Sequence, residues 1–124
     1  MKDINEVILT GRVGNLEMVG EEDSRFLVIS LGSHYSVQKG EKWEEKTQWI
    51  YCKVFSKEWA KSLNEHLEKG IGVTIHGKII VTSYVGDDGN KKYGFYIKVS
   101  DLVMHGKKDA QGDYEADIDG NPVD

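Results

Sequence analysis

Thr47-Gln-Trp-Ile-Tyr-Cys-Lys-Val-Phe55 is the stretch whose reading decides the fold. As a strand its side chains alternate, so Trp49, Tyr51, Lys53 and Phe55 share one face while Ile50, Cys52 and Val54 share the other. The second set is a core face. The first is aromatic and cationic. A half-buried strand normally puts polar groups on its wet side, so large rings interleaved with a lysine there need either a cover or a ligand. Nucleic-acid bases suit such a surface.

Upstream, Ile4 to Gly14 reads as a first strand, and Gly11 and Gly14 predict a bend or bulge in it. Glu17 to Ser24 is a loop by composition. Arg25-Phe-Leu-Val-Ile-Ser-Leu-Gly32 is a second, β-branched strand, and residues 36–46 read as a charged connection containing Trp43. Downstream, Ser56 is placed to cap a helix from Lys57 to Lys69, with Glu58 in its first turn and Gly70 as the stop. Trp59, Leu63 and Leu67 give that helix one narrow apolar face. Ile71 to Tyr84 alternates as a fourth strand, with Ile71, Val73, Ile75, Ile79 and Val81 on one side and His76, Lys78, Ile80, Thr82 and Tyr84 on the other. Gly86-Asp-Asp-Gly-Asn90 is a turn, and Lys91 to Met104 returns as a fifth strand with Tyr93, Phe95, Ile97 and Val99 in alternation.

At 124 residues there is room for one domain with a real core. The net charge of -5 argues at first against a polyanionic partner, but the charge is unevenly placed. All 16 Lys and Arg fall in residues 1–108, which are close to neutral, whereas residues 109–124 carry six acidic groups and no base. Acidity is therefore a property of the tail. One cysteine, Cys52, permits no internal disulfide, and no leader-like or membrane-spanning apolar run is present, so the expectation is a cytoplasmic protein without membrane association.

Three strands, a helix and two strands, with glycines at the bends, is the order of the all-β, five-stranded OB-fold barrel, whose central strands and loops bind oligonucleotides. At the residue level the chain resembles the bacterial and phage single-stranded DNA-binding protein family. Asn5-Glu-Val-Ile-Leu-Thr-Gly-Arg-Val-Gly14 is similar to that family's opening strand, and Thr47 to Lys57 to its central strand. Leu67 to Lys78 resembles its helix end and fourth strand, and Asp87 to Tyr93 its turn and returning strand. The likeness covers roughly residues 4–106. It implies that Trp49, Phe55 and Tyr84 stack on bases, that Tyr35 is the favoured aromatic near the end of the second strand, and that the protein is a homo-oligomer, with a homotetramer favoured over a dimer. The family's subunit-contact histidine after the central tryptophan is Ile50 here.

The expected division is an OB domain over residues 1–106 and a disordered acidic tail over 107–124. By resemblance the tail recruits replication and repair proteins through Asp117, Ile118, Asp119, Pro122, Val123 and Asp124, although it ends on Val-Asp and lacks the family's terminal aromatic. A solubilising tail that competes for the basic groove is the equal alternative.

Phosphates need cations, and Lys53 and Lys78 lie on the proposed faces, with Lys57, Lys91 and Lys92 on nearby ends and Arg12 a further candidate. Singly, exposed rings are more often packing or subunit contacts and lysines are ordinary solvated charges; together they make the expected interface. The function implied is sequence-independent binding and protection of single-stranded DNA in replication, recombination and repair. Its rival is a protein-interaction OB module of the replication-restart accessory kind with weak DNA binding. An enzyme is not expected, because the four histidines show no ligand spacing and Asp87 and Asp88 serve the turn; no metal or other cofactor is implied.

Overall fold

Leu27, Ile29 and Leu31 stand opposite Val54, Cys52 and Ile50 on adjacent antiparallel strands, and that apolar pairing forms one wall of a closed barrel. The computed structural model describes residues 1–106. Its elements are β1 (Val7–Val19), β2 (Phe26–Lys39), β3 (Lys42–Val54), α1 (Lys57–His66), β4 (Gly72–Val85) and β5 (Lys91–Met104). The strands close in the order β1-β2-β3-β5-β4, antiparallel throughout except where β3 meets β5. This is the expected OB arrangement, with the helix between β3 and β4. Cys52 and Val54 fill the interior with Val13, Val73, Ile75, Ile97 and the β2 leucines and isoleucine. Ala60, Leu63 and Leu67 bring the helix face into the same core, and Trp59 packs against it partly buried. The proposed tail residues from 107 onward lie outside the described residues.

β1 closes the barrel by serving two neighbours. Val7 to Arg12 pair with β4, while Arg12 to Val19 pair with β2, and the register skips one residue between Val13 and Asn15. Gly14 is thus the predicted bulge, which bends the strand from one partner to the other. The strand begins at Val7 rather than Ile4 and runs beyond Gly14, so the expected Glu17–Ser24 loop shrinks to a tight turn with one 3-10 turn at Glu22–Ser24. Ser56 opens α1 with extended backbone, and its carbonyl accepts the Ala60 N–H at 2.7 Å, but its side chain makes no cap bond. The helix stops at His66, three residues before the expected Lys69, and Gly70 takes φ +92° in the turn that follows.

The largest difference concerns residues 36–46. They are not a connection but the far ends of β2 and β3, paired from Tyr35↔Lys46 to Lys39↔Lys42 around Gly40 at φ +63°. This ribbon projects past the barrel, so both faces are wet and no apolar alternation marks it; ladder hydrogen bonds hold it instead. A second ribbon projects from β4 and β5. Ile79, Val81, Tyr93 and Phe95 continue the alternation of the buried Val73, Ile75, Ile97 and Val99, yet are exposed because the barrel has ended beneath them. Its turn is closed by Gly86 N–H to Asn90 C=O at 2.9 Å and by Asp88 Oδ1 accepting the Asn90 N–H at 3.0 Å.

Candidate nucleic-acid interface

Register brings the outward side chains of β2, β3, β5 and β4 onto one continuous face. Trp49, Tyr51 and Phe55 are 58 %, 56 % and 42 % exposed, while Cys52 and Val54 between them are buried, as the alternation requires. Alternate residues are about 7 Å apart along a strand, so the rings form a track about 20 Å long from Trp49 to Phe55.

Each end of that track is built differently. At the Trp49 end the ring rests on two glycines. A Cβ on Gly14 would overlap Cζ3 of the ring, and one on Gly32 would stand 2.9 Å from the same atom. The six-membered ring of the indole therefore packs on bare backbone through Cε3, Cζ3 and Cη2, while more than half of the residue stays exposed. Beside it runs a groove of about 430 Å³ towards the Lys69–Gly70 turn, with Arg12, His34 and Thr47 in its walls. His34 Nδ1 lies 2.9 Å from Thr47 Oγ1 and 3.7 Å from Glu45 Oε1. At the other end Phe55 sits between Phe26, with centroids 5.1 Å apart, and Tyr96, at 5.9 Å edge to face. Lys53 Nζ stands 4.3 Å from the Tyr96 ring centre, and Lys98 Nζ 5.9 Å from that of Phe55. Cations over ring faces of this kind are mutually stabilising by about 0.5–1 kcal/mol at exposed sites.

Between the ends, Lys53 pairs with Lys98 and Lys98 with Lys78, so three adjacent strands carry three lysines in one row. Like charges directly opposite destabilise a sheet. No carboxylate among the described residues forms an ion pair with any of the three. A row of this kind, framed by rings, fits a chain of phosphates whose bases lie against the aromatics.

Some expected residues fall elsewhere. Tyr84 and Lys92 are directly paired and share the face of Lys78, Ile80, Tyr96 and Lys98, so the β4–β5 ribbon prolongs the surface. Lys91 lies on the ribbon's other face, its Nζ 5.6 Å from the Tyr93 ring. Lys57 is at the start of α1, 3.8 Å from Asp23, outside the lysine row. Tyr35 pairs with Lys46 and so takes the alternate face of the β2–β3 ribbon, whereas Trp43 has the parity of Trp49. Four residues join this surface that the sequence does not single out for it: Phe26, Tyr96, Lys98 and Lys69. Tyr96 and Lys98 alternate with Ile97 and Val99, so their outward facing is written in the same period of two that marks the core side of β5. Cys52 Sγ is enclosed, and burial pushes its thiol up to about 12, which leaves it a protonated core group.

If the lysine row meets phosphates, removing any one of Lys53, Lys78 and Lys98 as alanine should flatten the log-log salt dependence of binding by about 0.7 per lost phosphate contact. Stability should hold or rise slightly for Lys78→Ala, which relieves repulsion within the row, whereas Lys53→Ala and Lys98→Ala also lose a contact over a ring and should change stability by no more than about 1 kcal/mol. An unchanged slope for all three variants would remove the row from the interface.

The single-strand binding protein family model matches residues 4–105. The single-stranded DNA-binding protein of Borreliella burgdorferi is 31 % identical over 107 residues, covering 84 % of this chain and 71 % of that protein. The mitochondrial single-stranded DNA-binding protein of Drosophila melanogaster is 28 % identical over 106 residues, covering 83 % and 72 % respectively. Among solved structures, a Plasmodium falciparum SSB in complex with ssDNA superposes with TM-score 0.71 at 20 % identity, covering 84 % of this chain and 97 % of the other. The small single-stranded DNA-binding protein of Streptomyces coelicolor gives 0.62 at 15 % identity, with 84 % and 95 % covered. At these identities the two structures establish the shared fold.

Proposed function

Because this chain belongs to the single-strand binding protein family, we propose that it binds single-stranded DNA without regard to sequence, by stacking bases on Trp49, Tyr51, Phe55 and Tyr84 and drawing phosphates along Lys53, Lys98 and Lys78. The observation that carries this reading is the unpaired lysine row set among exposed rings. Every base offers a flat face, so stacking binds all sequences alike, and the lysines supply the salt-sensitive part. The activity is binding and protection rather than chemistry, serving replication, recombination and repair in the cytoplasm. Among the described residues, no helix is long and apolar enough to cross a membrane.

Titration with mixed-sequence single strands and with duplex of equal length, across a salt series, tests the reading. Preference for the single strand, with little difference between sequences, is the expected result. Equal and weak binding of both would favour the protein-interaction module.

The same proposal includes self-association. Ile79, Val81, Val85, Tyr93 and Phe95 form a largely apolar face on the β4–β5 ribbon, with Lys91 as its one charge at the tip, opposite the face that carries Lys78, Tyr84 and Lys92. An apolar patch of this kind needs a cover, and a second copy of the chain, within a tetramer, is the occupant proposed. Sedimentation of the free protein should give a multiple of the 14.0 kDa chain mass, and Phe95→Glu should reduce it. A monomer in the unaltered protein would refute this part alone.

For residues 107–124 the proposal is an acidic tail that recruits replication and repair proteins and competes for the lysine face. Deleting residues 109–124 removes six negative charges, so binding should tighten at low salt and the gain should fade as salt is raised. Identical affinities at low salt would argue against competition.

A further inference from the structure

Asn5 precedes β1, yet its side chain continues that strand's ladder. The β1–β4 register pairs Val7 with Gly77, and continued by two residues it would set 5 opposite 79. There the Asn5 amide takes the place of a backbone: Nδ2 donates to the Ile79 carbonyl at 2.9 Å, and the Ile79 N–H donates to Oδ1 at 3.0 Å. Two reciprocal bonds to one residue reproduce the hydrogen-bonded pair of an antiparallel sheet.

The position of this rung gives it a consequence. Gly77 is the last β4 residue that β1 holds through its backbone, and the β4–β5 register shifts between His76 and Gly77, so a bulge lies at the root of the projecting ribbon. Bulges bend and twist the strands that carry them. At the ribbon's root β3 holds the β5 strand, through the Cys52↔Ile97 and Lys53↔Lys98 pairs and the Phe55–Tyr96 contact, whereas β4 has no such neighbour on its other side once β1 has ended; further out both faces are in solvent. Ile79, two residues past the last β1 pair at Gly77, is where Asn5 grips β4 on the edge away from β5. It also stands in the cross-barrel row Ile79–Ile97–Cys52–Ile29, next to the row of Lys78, Lys98 and Lys53. We infer that Asn5 is a positioning residue: it sets the angle of the β4–β5 ribbon against the barrel and so aligns Tyr84 and Lys92 with the stacking track of β3. This inference rests on the single-strand reading of that track, and it adds a residue from the amino-terminal segment that touches no nucleic acid itself.

Asn5→Ala is the test variant, since the residue is exposed and its loss leaves the core intact. Two hydrogen bonds of ordinary net strength predict a loss of affinity for a mixed-sequence oligonucleotide of about three- to tenfold. Amide exchange should quicken about tenfold from Ile79 to Val85 and stay unchanged from Leu27 to Leu31. The deciding measurement is a double-mutant cycle. With Tyr84→Ala already present, Asn5→Ala should cost less than half its usual loss in log affinity, because the ribbon it aligns no longer carries its ring. With Trp43→Ala, on the other ribbon, its full cost should remain. Additive losses with Tyr84→Ala, or unchanged exchange from Ile79 to Val85, would overturn the inference while the single-strand reading stands. Failure of the unaltered protein to bind single strands would overturn both.

Discussion

Trp49→Ala should weaken binding to mixed-sequence single strands by about 1–3 kcal/mol, a loss of about five- to 150-fold, while the domain stays folded. The size of the effect follows from how the ring is held. One part of the ring packs on Gly14 and Gly32, which hold it in place, and the exposed remainder lines the groove that leads to Lys69. A base that stacks there finds its platform already ordered, so little entropy is lost in forming the contact. The core beneath, through Cys52, Val54 and Ile97, does not include the indole, so unfolding free energy should drop by no more than about 1 kcal/mol. Fluorescence quenching and filter retention would measure the affinity, and thermal melting the stability. A folded variant with undiminished affinity would show that this face is not the interface.

The second large effect separates two glycines three residues apart on β1. In Gly14→Ala the added methyl collides with the Trp49 ring, and the ring, being a side chain with one side open, can swing away. The expected result is a binding loss close to that of Trp49→Ala, about 1–3 kcal/mol, although the tryptophan is still present. Tryptophan emission should shift as the indole leaves its seat. In Gly11→Ala the methyl meets the backbone carbonyl of Gly32, which cannot swing. That variant should instead lose about 1–3 kcal/mol of stability, seen as a lower melting temperature, with affinity at low temperature largely kept. If Gly14→Ala binds normally with its emission unshifted, the seating of Trp49 on Gly14 has no part in function. Should the two variants behave alike, the division between a ring clash and a backbone clash would fail.

Legibility tracked burial. Where one face of a strand is core and the other wet, as in Leu27–Leu31 and Ile50–Val54, alternation fixes the element and the facing of each side chain. Where both faces are wet, composition misleads, so Ser36 to Lys46 read as a loop although it pairs rung by rung. The ends of β1 and α1 were misplaced for a related reason. Leu16 and Met18 alternate along the continuation of β1 and pack on the core opposite Ile29 and Leu27, but Glu17 between them merges in composition with the acidic turn that follows, and Lys69 has the charge and the following glycine of a helix end without being one.

The site divides in the same way. Trp49, Tyr51, Lys53 and Phe55 come from one strand, and a period of two suffices to put them together. Lys98 and Tyr96 belong with them only through β5 lying parallel beside β3, a pairing of residues more than 40 positions apart that no local pattern records. The separation of Lys92 from Lys91, and of Trp43 from Tyr35, likewise depends on which face of a ribbon each occupies.

Element order, the core face of β3 and the aromatic character of its outer face follow from the residues in order, because they depend on local propensity and on the geometry of one strand. That three lysines form a row, that Gly14 and Gly32 seat Trp49, and that Asn5 grips the root of the β4–β5 ribbon emerges only once the barrel is closed. Those contacts join residues far apart in the chain, and their register is set by how the barrel closes: the bulge at Gly14 brings that glycine under Trp49, and the residue skipped at Ser100 on β5 sets Lys98 opposite Lys78.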